Sequence, residues 1–323
     1  MTNFTVAVVI PLYNKAPYIR ATLQSVLAQS LQPDEILIVD DGSTDRSVEA
    51  VADLIAGKVR VIQQVNAGPG PARNYGAAEA RSEWIALLDG DDLWAPDHLE
   101  VLASVSRAFP LADLVATEIA EGSAIEGLDA LAKFDRRPRP RLFDYFLEIS
   151  EGRELSSSST AVRRSVLMLS GGFASFFPGE DPEFWARLAL NHEFAKSDAC
   201  TAYYLKLTGG LMDQAQKNRN WQFELPQSLT TVEDLFDPER HAALMPSIKK
   251  FRYHQLHRLV RQSLVRGQPQ IARQYLNLLH TEGGPTHLGD WFLTSIPAPI
   301  FRMALGTRNR LRRNSFVKKY LRV

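Results

Sequence analysis

The sequence has a single cysteine, Cys200, which excludes an internal disulfide framework and any cysteine-rich zinc or iron–sulfur site. A reducing compartment fits that usage. It also lacks any run of the roughly 20 apolar residues that a membrane-spanning helix requires. Its early apolar stretch, Val6 to Leu12, carries no basic lead and runs into a turn, so no signal peptide is expected and the chain is expected in the cytoplasm. Net charge is missing too, because 37 Lys/Arg cancel 37 Asp/Glu over 323 residues, and no overall field recruits nucleic acid. Repeats and low-complexity tracts are absent. A composition 45% apolar and 23% charged is that of a folded protein, which excludes disorder, collagen and coiled coil.

The charge that is present is unevenly placed. Residues 1–200 hold 18 Lys/Arg against 29 Asp/Glu, a net of −11, and residues 201–323 hold 19 against 8, a net of +11. Two halves with different partners are expected.

Over the first 120 residues, short apolar runs alternate with helical patterns. Phe4 to Pro11, Glu35 to Asp40, Val59 to Val65 and Trp84 to Asp89 read as strands too apolar at their centres to be half-exposed. Ile19, Leu23, Val26 and Leu27 fall on one helix face. Ser43 or Thr44 is expected to cap a second helix carrying Val48, Val51 and Ile55, and Pro71 to open a third. Strand, helix, strand in repetition calls for an α/β fold, a mostly parallel sheet with helices on both faces. Ligands of such sheets bind beyond the carboxyl ends of the strands. Further along, 136–141 (RRPRPR) reads as an exposed connector, and residues 247–266 and 269–280 as two helices joined at Gly267-Gln268-Pro269.

Four clusters fall where a ligand is expected. Pro11-Leu12-Tyr13-Asn14 follows the first strand, and a tyrosine there offers a flat ring to a base. Asp40-Asp41-Gly42-Ser43-Thr44-Asp45 follows the second; capping accounts for the hydroxyl residues but not for two adjacent carboxylates, which points to ligand binding. Residues 66–76 (NAGPGPARNYG) combine glycines, a helix start and Arg73, a pattern expected of a diphosphate cradle. Asp89-Gly90-Asp91-Asp92 ends an apolar strand in three carboxylates, whose repulsion is costly unless a cation gathers them, and hard oxygen ligands favour Mg²⁺ or Mn²⁺. A fifth element, 179–185 (GEDPEFW), puts carboxylates at a helix entry, where beside a metal–diphosphate site one becomes a candidate general base. Ser156 to Ser159 lack the surroundings of a nucleophile elbow and read as a polar loop or strand edge. His254 and His257 read as a solvated pair.

These stretches in this order, VVIPLYNKAPYI, ILIVDDGSTDRS, NAGPGPARNYG, WIALLDGDDLWAP and GEDPEFWARLA, resemble family 2 inverting glycosyltransferases of the GT-A fold over roughly residues 4–205. The resemblance implies a three-layer α/β/α sandwich over residues 1–220, with a nucleotide-binding half (1–120) and an acceptor half (121–220), and a helical, basic region over 221–323. It implies that Pro11, Tyr13 and one or both of Asp40 and Asp41 hold the nucleoside, commonly uridine, with Gly68 and Arg73 near the base or diphosphate. Asp89 to Asp91 resembles the family's DXD motif, with Asp89 near the ribose or metal and Asp91 on Mn²⁺ or Mg²⁺. Asp92 leaves open which pair binds the ion. Asp181 takes the place of the catalytic base, with Glu180, Glu183 and Trp185 on the acceptor side. The Gln-x-x-Arg-Trp motif of the processive synthases is lacking, so transfer of a single sugar from a nucleotide-diphosphate sugar to a glycan or lipid-linked acceptor is expected.

Two rivals compete with this reading. A sugar-nucleotide pyrophosphorylase would carry a Gly-rich, basic loop directly after the first strand, where this chain has PLYNKAPY. A non-catalytic nucleotide-sugar-binding or membrane scaffold protein would not need all the carboxylates. The tail, 301–323, interleaves eight Lys/Arg with apolar residues and no Asp/Glu, the pattern of a peripheral contact with the anionic inner face of a cell membrane.

Overall fold

The computed structural model describes residues 4–122, 136–176, 178–206, 225–286 and 294. The first half is β1 (Val6–Leu12), α1 (Ile19–Leu27), β2 (Glu35–Asp40), β3 (Val59–Gln63), α2 (Pro69–Glu79), β4 (Trp84–Leu87), β5 (Leu93–Trp94), α3 (His98–Ala108) and β6 (Leu114–Gly122). The second is β7 (Pro140–Phe143), α4 (Tyr145–Ser150), β8 (Thr160–Arg163), α5 (Arg164–Leu169), α6 (Glu180–Ala189), β9 (Phe194–Leu205), α7 (Gln227–Leu235), α8 (Met245–Val265) and α9 (Pro269–Thr281). The strands form one sheet in the order β3-β2-β1-β4-β8-β6-β9-β5, with β7 also on β9.

The sheet is parallel from β3 through β4, as the repeated strand–helix–strand pattern requires, and antiparallel pairs enter where β8 joins β4 and β6. Alternation along β1 explains the two cores. Ala7 and Val9 face one side, where they join Ala72 and Ala77 of α2 and Phe184 and Trp185 of α6. Val6, Val8, Ile10 and Leu12 face the other, with Ile19, Leu23 and Val26 of α1 and Leu99, Leu102 and Val105 of α3. The expected three layers follow from that alternation. Leu229, Val232 and Phe251 belong to the first core, so α7 and the start of α8 are packed onto the sheet layer.

Two local expectations are corrected. Ser43 and Thr44 cap no helix: the segment that follows is a 3₁₀ turn, Glu49–Leu54, preceded by Val48 with no side-chain cap. The connector at 136–141 is not wholly irregular, because Pro140 and Arg141 begin β7 and pair with Ser197 and Lys196. The boundary drawn at residue 220 and the tail at 301–323 lie outside the described residues.

Candidate functional site

The parallel strands β1, β2 and β4 end side by side, and the loops that follow are laced together. Asn14, the one non-glycine with positive φ (52°) among the described residues, suits that conformation because a short amide side chain tolerates it. Its Oδ1 accepts from the backbone N–H of Thr44 (2.8 Å) and Asp45 (3.2 Å), and its own N–H donates to Ser43 Oγ (3.1 Å). The hydroxyl residues expected to cap a helix are therefore used to fix the Tyr13–Lys15 loop. Pro11 and Tyr13 are half-buried at the rim of this loop.

Asp40 and Asp41 are both buried but do different things. Asp40 Oδ1 accepts from Ser43 N (3.0 Å), an Asx turn that shapes its own loop. Asp41 accepts from Gln64 Nε2 (2.7 Å) and from the backbone N–H of Ala67 and Gly68 (both 2.8 Å). Asp41 thus moors the loop entering α2, where Gly68 has φ 97°.

The cradle expected at the start of α2 is weaker than the glycines imply. Positions 69 and 71 are prolines, which have no N–H to offer an anion. Gly70 and Gly76 are there for packing: a Cβ at Gly70 would lie 2.3 Å from the Ala174 carbonyl oxygen, and one at Gly76 would lie 2.4 Å from a Val9 methyl. Nor does Arg73 present its charge to a diphosphate. It is 2% exposed, with Nη2 on Asp89 Oδ1 (2.7 Å) and Nη1 on both Asp181 Oδ1 (2.7 Å) and Glu180 Oε1 (3.1 Å). One guanidinium therefore gathers the loop after β4 and the first turn of α6, segments about 90 residues apart in sequence.

Three carboxylates share that one cation. Burial is the largest influence on each perturbed member: it raises Glu180 to about 7, with Asp181 adding to the rise and Arg73 opposing it. Burial also raises Asp181, which Arg73 and hydrogen bonds from Ser157 counter. For Arg73 the three carboxylates outweigh burial and hold the guanidinium charged. The Asp181 side chain keeps 22% of its surface and that of Asp89 32%, so both reach solvent from the rim.

The three aspartates of the acidic loop have different surroundings. Asp91 is paired with Lys15 Nζ. Asp92 is fully buried and turned inward, accepting from Ser158 Oγ (2.5 Å) and Leu205 N (3.1 Å). Burial, aided by Asp89 and Asp91, pushes its carboxyl well above the ordinary range. Asp89 and Asp91 remain as hard oxygen donors at the rim. Among the described residues no group of three or more His, Cys, Asp or Glu side chains is arranged for a metal. Asp89 and Asp91 are the kind of hard oxygen donors a divalent ion takes, and Asp91 is paired with a cation, Lys15, in this structure.

The residues expected on the acceptor side, Glu180, Glu183 and Trp185, are all buried in the structure. Glu183 is 5% exposed and held by Arg187 Nε (2.8 Å) and Nη2 (3.1 Å). Trp185 is fully buried, packed edge-on to Phe173 (5.4 Å) and tilted on Phe184 (5.0 Å). Glu180 is 4% exposed and bound by Arg73. All three are buried although they lie around α6 rather than on one face of it, leaving Asp181 as the carboxylate of that turn at the surface.

Sequence reasoning missed four contributors. Lys15 sits inside the PLYNK run but signals nothing by itself. Ser157 donates to Asp181 Oδ2, and Ser158 binds the acidic loop; four consecutive hydroxyl side chains before a buried strand were the available signal. His98 stacks on Trp94 (4.2 Å) and bonds Thr201 (2.8 Å), and burial lowers it to about 3, so it is a neutral member of the wall behind the loop.

Comparison with known proteins places this geometry. The chain is 45% identical over 102 residues to succinoglycan biosynthesis protein ExoW of Rhizobium meliloti, covering 28% of this chain and 31% of that protein. It is 42% identical over 113 residues to a glycosyltransferase of Nostoc sp., covering 34% of each. Matches thus span about a third of the length of these curated relatives. In structure it resembles S. aureus TarS 1-349 in complex with UDP-GlcNAc, with TM-score 0.56 and 18% identity over 88% of this chain and 93% of that one, a likeness of fold. That likeness agrees with the GT-A sandwich expected from the sequence. Residues 7–167 match the model of glycosyl transferase family 2, and over that span the chain belongs to this family.

Proposed function

We propose that the chain is a metal-dependent, inverting glycosyltransferase that moves one sugar from a UDP-sugar to a hydroxyl of a glycan or lipid-linked acceptor. The observation that carries the reading is the Arg73 bridge, which holds a solvent-reaching Asp181 one guanidinium away from Asp89 at the carboxyl ends of the parallel strands. One bound donor and its incoming alcohol fit within that span.

Asp181 is the general base. Its raised pKa makes it a better proton acceptor than an ordinary aspartate, and Arg73 and Ser157 fix its two oxygens while each keeps a further lone pair. The acceptor hydroxyl gives its proton to Asp181 as its oxygen attacks C1, and a single displacement inverts that carbon. Pro11 and Tyr13 flank the nucleoside, with Asp40 beside them at the end of β2. Asp89 and Asp91 would hold Mn²⁺ or Mg²⁺, which when bound supplies positive charge to the leaving diphosphate. The loop after β1, laced through Asn14 and lacking a glycine-rich basic run, disfavours a pyrophosphorylase. A raised, solvent-reaching carboxylate at Asp181 disfavours a scaffold without chemistry.

Thermal-shift measurements with Mn²⁺ and UDP-, GDP- and dTDP-sugars test the donor. A UDP-sugar near 100 times its Kd is expected to stabilise by about 2.7 kcal/mol, a rise of several degrees. A larger rise with GDP- or dTDP-sugars would reassign the nucleotide, and none with any of them would remove the donor site altogether.

We further propose that the C-terminal region meets an anionic membrane. No helix among the described residues is long and apolar enough to cross one. Between Met245 and Thr281 the chain has seven Lys/Arg and no Asp/Glu, and Lys250, Arg258 and Arg261 are exposed along α8. Each such charge near an anionic surface contributes about 1 kcal/mol. The full chain is expected to pellet with anionic liposomes and to lose most of that binding when residues 300–323 are removed. Equal pelleting of the two would rule the tail out.

A further inference from the structure

We infer that Ser157 and Ser158 are a pair of positioning residues, Ser157 aiming the carboxylate of Asp181 and Ser158 fixing the Asp89–Asp92 loop; the inference rests on the transferase reading above. The two lie in a single 3₁₀ turn, Ser157–Ser159, and are 1% and 0% exposed. With three residues per turn, neighbouring side chains diverge by about 120°, so adjacent hydroxyls serve different partners. Ser157 Oγ donates to Asp181 Oδ2, on the opposite oxygen from Arg73. Ser158 Oγ accepts from the backbone N–H of Asp89 (3.1 Å) and donates to Asp92 Oδ2 (2.5 Å), while its carbonyl accepts from Trp94 Nε1 (2.6 Å).

The other hydroxyls of the run hold the turn itself. Ser159 Oγ donates to the Ser156 carbonyl (3.0 Å) and Thr160 Oγ1 to that of Ser157 (2.9 Å). The turn leads directly into β8, which is clamped between β4 and β6, so the two site-facing hydroxyls stand on a rigid support. The base and the carboxylate loop are thereby tied to one another twice, through Arg73 and through two successive serines.

The two serines should fail differently. UDP release from UDP-glucose, UDP-galactose or UDP-N-acetylglucosamine with Mn²⁺, whichever turns over fastest, is measured beside UDP binding by calorimetry. Ser157→Ala is expected to lower kcat by about 10- to 100-fold, the cost of a misaimed base, while KM and UDP affinity stay within about twofold. Ser157→Thr, which keeps the hydroxyl, should recover most of kcat. Ser158→Ala should instead weaken Mn²⁺-dependent UDP binding, because the Asp89 amide and buried Asp92 lose their shared partner. Full activity of Ser157→Ala beside an inactive Asp181→Asn would overturn the inference alone, as would equal losses of kcat and UDP affinity in both serine variants. A wild type that releases no UDP overturns the transferase reading and this inference with it, and near-normal release by Asp181→Asn takes the base away from Asp181 and with it the role of Ser157.

Discussion

Asp181→Asn is expected to lower transfer by about 10²- to 10⁴-fold, the range that a positioned general base contributes. Asparagine keeps the shape of the side chain, and its amide oxygen still accepts from Arg73, so the loop after β4 and the start of α6 stay joined. What it cannot do is take a proton. UDP binding should therefore be unchanged by calorimetry while single-turnover transfer collapses. The pH profile adds a second check. Because burial raises Asp181, wild-type kcat/KM should fall with acid at a higher pH than an ordinary aspartate would give, and the residual rate of the variant should lack that limb. Near-normal turnover in the variant would take the base away from Asp181.

The strands were legible because their signal is local. The runs at 35–40 and 84–89 are uniformly apolar at their centres, the mark of strands covered on both faces, and β2 and β4 occupy Glu35–Asp40 and Trp84–Leu87. The helix at 19–27 declared itself by its period, and the break at Gly267-Gln268-Pro269 is where α8 and α9 separate. The meeting of the acidic loop with Glu180-Asp181 followed from motif order, and Arg73 realises it.

The roles inside the site were less legible, because a residue's chemistry does not announce its partner. Arg73 in a glycine-rich loop reads as an anion ligand. Only the fold shows that three carboxylates from two distant segments had already claimed it. Trp185 reads as an aromatic platform beside a base, yet tertiary packing buries it against Phe173 and Phe184. The prolines at 69 and 71 were visible all along. Weighing their missing N–H groups would have cut the cradle to one free amide in the first three positions. Asp92 could not be told from Asp91 without the end of β9, where Leu205 N meets it. Ser157 and Ser158 needed the same tertiary information, since both of their acidic partners lie elsewhere in the chain.

Arg73→Met is expected to destabilise the fold by about 3–5 kcal/mol near pH 7.5, because it strands three carboxylates around a vacated cation. Methionine approximates the volume, so the loss measures charge more than packing. The sign of its pH dependence follows from linkage. Glu180 sits at about 7 in the folded wild type against an ordinary 4.5, so the folded state binds more protons across that window and stability already declines as pH rises through it. Without Arg73, the largest influence pulling Glu180 and Asp181 down is gone, both are raised further, and the decline steepens and extends upward. The gap in Tm between wild type and variant should thus be small at pH 5 and wide at pH 8. Arg73→Lys should fall between them, since a single ammonium cannot span Asp89, Glu180 and Asp181 as the planar fork does. A gap that stays constant from pH 5 to pH 8 would mean that Arg73 holds the site by packing over Phe173, 5.3 Å from the ring centre, and not by its charge.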